Sequence, residues 1–279
     1  MATTTSLNIA FIGGGNMASA LIAGLLAKGQ PTSLLHVVET DAEKLANFQA
    51  QGLNTYDASN IDDTKHAIEK ADVVVLAVKP QAIKDVLLPV KDIWGEQVVI
   101  SIAAGIGTDS LAEWLGPQVK LVRAMPNTPA MIQMGATGLY ATAGVNEAER
   151  QLAQQVMSAA GLVLWVDDEE LLHAVTAISG SAPAYFFYML ENMIATGEKL
   201  GLTQTQATAL AMQTALGSAQ MALTSHDTPA ELRRKVTSPN GTTQAAIEVM
   251  DAKKMHQIIA DAMLACEQRS RELSQAFGK

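Results

Sequence analysis

Aromatic side chains are scarce in this sequence. Phe, Trp and Tyr make up 4% of its 279 residues, which leaves few platforms for stacking nucleic-acid bases. Positive charge is also short: 19 Lys and Arg stand against 28 Asp and Glu, a net charge of −9, with no basic block anywhere. A chain of that balance repels a phosphate backbone, so no nucleic-acid partner is expected. Cys266 is the one cysteine, so no intrachain disulfide can form, and a buried thiol in the last helix is its expected state. The five histidines (His36, His66, His173, His226 and His256) are scattered and make no zinc-ligand spacing, so no metal is expected. Apolar runs such as Val73–Val78 are far too short to span a bilayer. The start, Met1-Ala-Thr-Thr-Thr, lacks the basic and apolar regions of a signal peptide. These absences point to a cytoplasmic protein with no membrane partner.

What is present is apolar and periodic. Hydrophobic residues make up 48% of the chain, enough for two ordinary domains each with its own core. Thirteen Met and abundant Ala favour extensive helix packing. Strand-like runs at residues 7–12, 34–39, 72–78, 97–103, 120–125 and 138–142 alternate with helical spacing at 17–28, 42–51, 62–70 and 108–115. Several of these strands are apolar on both faces, as buried parallel strands are. The expected fold class is α/β: an N-terminal doubly wound, Rossmann-like parallel sheet. Beyond Asp167 only helical stretches follow, at roughly 170–199, 204–224, 229–235, 243–250 and 254–277. The reading is therefore a dinucleotide-binding domain over 1–165 and an all-α substrate and dimerisation domain over 166–279.

The first strand runs into Gly13-Gly14-Gly15-Asn16-Met17-Ala18, a G-x-G-x-x-A loop that opens a helix. Gly13 permits a tight turn, Gly15 lets backbone approach a pyrophosphate, and Ala18 lets helix and strand pack closely. The helix dipole then faces the phosphates. Glu39, at the end of the second strand, can accept from a ribose diol and repels a 2′-phosphate, so local chemistry favours NADH. Further ligand loops are expected at the carboxyl ends of later strands. They are Ala77-Val78-Lys79-Pro80, Ala103-Ala104-Gly105 and Met125-Pro126-Asn127-Thr128-Pro129. Lys79 is suited either to reach a phosphate or to snorkel to water. Asn60 is assigned to the same cofactor set.

Two segments of the helical half look unlike ordinary helix. Ser179-Gly180-Ser181-Ala182-Pro183-Ala184-Tyr185 sets small residues and a proline inside a helical pattern. Val236-Thr237-Ser238-Pro239-Asn240-Gly241-Thr242-Thr243 is a hydroxyl-rich turn before a helix, suited to an anion.

With these motifs in hand, the sequence resembles the pyrroline-5-carboxylate reductases of proline biosynthesis over nearly its whole length. The resemblance rests on Phe11-Ile-Gly-Gly-Gly-Asn-Met17, Ala77–Pro80, Ser101-Ile-Ala-Ala-Gly105, Arg123-Ala-Met-Pro-Asn-Thr-Pro129, Ser179–Tyr185 and Val236–Thr243. It implies reduction of L-1-pyrroline-5-carboxylate to L-proline by hydride from NADPH or NADH, in a dimer or an assembly of dimers. It also implies that Ser238, Gly241, Thr242 and Thr243 bind substrate, that Thr243 holds the imine nitrogen, and that Glu169 lies at an acidic position near the substrate. The nicotinamide would lie over the loops near Ala103 and Met125. Asn240 and Ala182 stand where this family usually has glycine, and Asn tolerates the left-handed conformation well enough to keep the turn. Two rivals are a β-hydroxyacid dehydrogenase-like enzyme and a non-catalytic dinucleotide sensor. The first needs a catalytic lysine in the stretch Ser179–Asn192, which has none. The second has no need of the hydroxyl-rich turn.

Overall fold

The computed structural model describes residues 6–277. Strands and helices alternate as β1 (Ile9–Ile12), α1 (Asn16–Ala27), β2 (Leu35–Glu39), α2 (Ala42–Ala50), β3 (Asn54–Asp57), α3 (Ile61–Glu69) and β4 (Val73–Leu76). They continue as α4 (Pro80–Leu87), β5 (Val98–Ser101), α5 (Thr108–Leu115), β6 (Lys120–Met125), β7 (Gly135–Ala141), α6 (Glu147–Met157) and β8 (Gly161–Trp165). The sheet order is β3-β2-β1-β4-β5-β6-β7-β8. The first six strands are parallel in the Rossmann order, while β7 is antiparallel to β6 and parallel to β8.

Residue alternation along the strands builds a core on each face. Ile9 and Phe11 of β1 pack with α1 on one side, whereas Ala10 and Ile12 pack with α3 and α5 on the other. Val73–Leu76 is fully buried, which is why its sequence is apolar at every position.

Helices α7 (Leu171–Val175), α8 (Ala182–Lys199), α9 (Gln204–Thr224), α10 (Pro229–Lys235), α11 (Thr242–Ala252) and α12 (Met255–Phe277) follow. The single helix expected over 170–199 is interrupted by a π-helical turn, Thr176–Gly180. The interruption sits where Gly180 weakens the helix and Pro183 has no N–H to donate.

Two compact units result. The first runs to Ser181 and takes in the chain again from Cys266; the second is Ala182–Ala265. The division thus lies beyond the residue 165 expected from sequence. Packing explains this, since a Cβ on Gly138 of β7 would lie 2.7 Å from the Val175 side chain of α7. The far end of α12 likewise lies against the loop after β5, with Phe277 3.1 Å from a Cβ built on Gly105.

Candidate functional site

The glycine loop leaves β1 at the point where strand order reverses, between β2 and β4. Gly13 has φ +101°, and a Cβ there would meet the Ala77 carbonyl oxygen at 2.8 Å, so only glycine lets the two loops touch. Around a Cβ on Gly15, by contrast, there is no atom within 4 Å. Gly15 caps α1 with extended backbone, no side chain caps that end, and no acid lies in its first turn. Its N–H groups and positive dipole end are thus open to an anion. Ala18 is fully buried in the core, as close helix–strand packing requires. The space at Gly15 and the uncapped helix end fit a dinucleotide pyrophosphate.

A cleft of about 450 Å³ opens from this loop. Of the residues assigned to the cofactor, Gly13, Gly15, Glu39, Ala77, Val78 and Lys79 line it, whereas Gly14, Asn16, Met17, Ala18 and Pro80 do not. Pro80 is the first residue of α4 and Lys79 is its N-cap, so the expected proline loop is only a helix entry. Asn60 is not in the wall either. It caps α3, its Oδ1 accepting from the Asp62 N–H at 3.1 Å. Sequence reasoning missed Thr40, Lys44, Ile61 and Thr64, which also line the cleft. Their position just after β2 and in the first turn of α3 was the available signal.

Glu39 is turned inward. Its Oε2 accepts from the Gly14 N–H at 2.9 Å, and its Oε1 from the N–H groups of Thr40 at 2.8 Å and Asp41 at 3.2 Å. Lys44 Nζ lies 3.4 Å from Oε2. Burial by itself would raise this carboxyl, but the three backbone donors and the Lys44 charge outweigh it and hold the group below its ordinary value. Glu39 therefore ties β2 to the glycine loop through Oε2, while Oε1 is engaged by Thr40 and Asp41 just after the strand.

Ala103, Ala104 and Gly105 line a second, smaller cleft of about 190 Å³, together with Arg123, Met125 and Ser181. Cys266 also lines it and is half-buried, its thiol 3.2 Å from the Ser181 hydroxyl. Asn127 braces this region: its Nδ2 donates to the Ser179 carbonyl at 3.1 Å, and its Oδ1 accepts from the Ala136 N–H at 2.8 Å. The asparagine of the Met125–Pro129 segment thereby holds the π-helical turn against β7.

Glu169 lies in the same unit and is already engaged. Its Oε1 accepts from the Thr108 N–H and from Arg123 Nη1, each at 2.8 Å, and its Oε2 accepts from the Thr108 hydroxyl. The carboxylate pins the start of α5 to β6. Glu169, expected near the substrate, forms an ion pair with a mostly buried arginine.

In the second unit, the hydroxyl-rich turn opens α11. Asn240 adopts φ +57°, the left-handed conformation expected of it. Gly241 is the N-cap, and its N–H donates to the Ser238 carbonyl at 3.0 Å. That N–H serves the turn, and a Cβ on Gly241 would lie 3.0 Å from the same oxygen. Thr242 and Thr243 are the first two helical residues, and no side chain caps the helix. Thr243 is half-buried and is not a helix cap.

Among the described residues no group of three or more His, Cys, Asp and Glu converges as metal ligands. No helix among them is long and apolar enough to cross a membrane.

Comparison with known proteins agrees with both halves of the chain. Residues 169–273 match the family model for pyrroline-5-carboxylate reductase dimerisation. Residues 8–105 match that for coenzyme F420-dependent NADP oxidoreductases. The pyrroline-5-carboxylate reductase of Pseudomonas aeruginosa is 48% identical over 274 residues, covering 97% of this chain and 98% of the relative. A solved structure of the Coxiella burnetii reductase superposes with a TM-score of 0.91 at 42% identity, covering 97% of this chain and 99% of the other. That of Plasmodium falciparum pyrroline carboxylate reductase with NADP bound gives 0.84 at 25% identity, covering 96% and 98%. The chain belongs to the pyrroline-5-carboxylate reductase family.

Proposed function

We propose that this chain reduces L-1-pyrroline-5-carboxylate to L-proline with NAD(P)H, the last step of proline biosynthesis. The observation that carries the reading is the turn at Ser238–Thr243, which presents hydroxyls and an uncapped helix start in a chain that also holds a dinucleotide cleft. The substrate is a small anion with a C=N bond. It needs an anchor for its carboxylate and a hydrogen-bond donor at nitrogen.

The N–H groups of Thr242 and Thr243 and the Ser238 hydroxyl supply the anchor, aided by the dipole of α11. The Thr243 hydroxyl holds the imine nitrogen. Gly241 acts sterically, by letting the turn close on Ser238. When bound, the reduced nicotinamide supplies the hydride that goes to C5. Because the imine can arrive already protonated, these residues need only orient it and stabilise charge, which carries most of such a rate. Glu169 acts one step back, by holding Thr108 and Arg123 beneath the 103–107 loop.

The helical unit is assigned to self-association, as a homodimer or an assembly of dimers, and the enzyme to the cytoplasm. The match to a dimerisation family model and the apolar side chains exposed on α8 and α9 support the first assignment. The acidic charge supports the absence of a nucleic-acid partner. Incubation with pyrroline-5-carboxylate and either NADH or NADPH should consume absorbance at 340 nm and yield proline. A folded protein that oxidises neither would overturn the assignment.

A further inference from the structure

Glu39 stands where an acid normally accepts from the ribose hydroxyls of NAD and turns a 2′-phosphate away. In this chain that carboxylate is already engaged. Oε1 accepts three hydrogen bonds, from the N–H and hydroxyl of Thr40 at 2.8 and 3.1 Å and from the Asp41 N–H at 3.2 Å. Oε2 accepts from the Gly14 N–H at 2.9 Å. Its side chain is 12% exposed, so its charge meets the cleft already compensated by fixed donors.

Beside it lies a cation that is not fixed. Lys44 lines the cleft, its side chain is 47% exposed, and its contact with Glu39 Oε2 is long at 3.4 Å. An exposed ion pair of that length holds its lysine weakly. The neighbouring Asp41 is instead the cap of α2, its Oδ1 accepting from the Glu43 and Lys44 N–H groups at 3.0 and 3.1 Å. Among the described residues lining the cleft, the charged ones are Glu39, Lys44, Lys79 and Asp85. Lys79 belongs to the loop after β4, which touches Gly13, whereas Lys44 lies on α2, directly after β2. Of these two lysines, only Lys44 is therefore beside Glu39, the position where an acid normally meets the adenosine ribose.

We propose that Lys44 reads the 2′ position of that ribose: it rests on Glu39 when the position carries a hydroxyl and moves to the phosphate when it carries one. The cleft then accepts both NADH and NADPH, and Lys44 sets the balance between them. This amends the expectation that Glu39 alone excludes the phosphate. The inference rests on the proposed dinucleotide-dependent reduction, but it concerns binding at the adenosine end.

The test is therefore a binding measurement as well as a kinetic one. Calorimetry with 2′,5′-ADP and 5′-AMP, and fluorescence titration with NADPH and NADH, are run on the full-length protein and on Lys44→Gln and Lys44→Arg. Because Lys44 is half in solvent, a melting curve should confirm that both variants are folded. Lys44→Gln should lower the affinity ratio of 2′,5′-ADP to 5′-AMP about 10-fold or more, the loss expected for one charge-assisted contact, and move the NADPH:NADH ratio of kcat/KM the same way. Lys44→Arg should keep most of both ratios. The 2′-phosphate advantage should also shrink with rising salt. Ratios that Lys44→Gln leaves in place overturn the inference and spare the reductase assignment. So does an unmodified protein that binds NADH and rejects both 2′-phosphorylated ligands. Failure of the unmodified protein to bind any of the four removes the dinucleotide cleft itself, and the proposed function with it.

Discussion

Gly13 and Gly15 lie two residues apart in one loop, yet their substitutions should fail in different ways. Gly13→Ala places a Cβ at positive φ and 2.8 Å from the Ala77 carbonyl, so it should cost stability, about 1–3 kcal/mol. Gly15→Val meets open space with ordinary backbone. It should melt near the parent temperature and lose NADH binding, because the branched side chain fills the pyrophosphate's place. Thermal melts beside NADH fluorescence titration check both, and a Gly15→Val variant with normal NADH affinity refutes the loop assignment. Thr243 gives a second contrast. Gly241, not Thr243, caps α11, so Thr243→Val should leave the melting temperature nearly unchanged. It should lower kcat/KM about 10- to 200-fold, or roughly 1.5–3 kcal/mol, if its hydroxyl holds the imine nitrogen. Ser238→Ala should mainly raise KM, since a carboxylate contact is made equally in ground and transition states. A fully active Thr243→Val removes that residue from the catalytic list.

At the scale of elements, α1 makes one especially close approach besides its buried core contacts. A Cβ on Gly24 would lie 2.1 Å from the Ala159 carbonyl oxygen, in the 3₁₀ turn that precedes β8. Neither backbone can yield without moving its helix or strand, so Gly24→Ala should destabilise the first unit by about 1–3 kcal/mol. Urea unfolding followed by far-UV circular dichroism measures this; an unchanged midpoint means that the contact is loose. The same scale shows which elements could be read in advance. Buried strands such as β4 announce themselves because both faces are apolar. β3 is Asn-Thr-Tyr-Asp on the edge of the sheet, and β8 alternates half-buried and exposed residues, so neither carries that signal. Helix α6 was missed although its start was written plainly. Asn146 and Glu149 form a capping box, with N–H···O distances of 3.1 and 2.8 Å.

For the whole molecule, the main question is what covers the helical unit. Phe187 of α8 and Leu216 of α9 are 65% and 55% exposed, in a unit with few buried side chains of its own. Exposed apolar surface on that scale marks an interaction face. Phe187→Glu should therefore lower the molar mass measured by size-exclusion chromatography with light scattering, and lower the melting temperature with it. An unchanged mass would place the self-association surface elsewhere.

The sequence by itself determined the α/β class, the parallel core strands, the glycine loop and the hydroxyl-rich turn. Each depends on neighbours in the chain: apolar periodicity, glycine where φ is positive, hydroxyls before a helix. Tertiary structure decided what those residues do with their polar atoms. Glu39 turned toward the glycine loop because the Gly14 N–H, 25 positions earlier, needed an acceptor. Glu169 went to Arg123 and Thr108, 46 and 61 positions away, and Asn60 caps its own helix. The antiparallel β7 and the return of α12 to the first unit were equally out of reach. A hydrogen-bond partner distant in sequence leaves no local pattern, so which acceptors remain free for a ligand is settled only when the chain has packed.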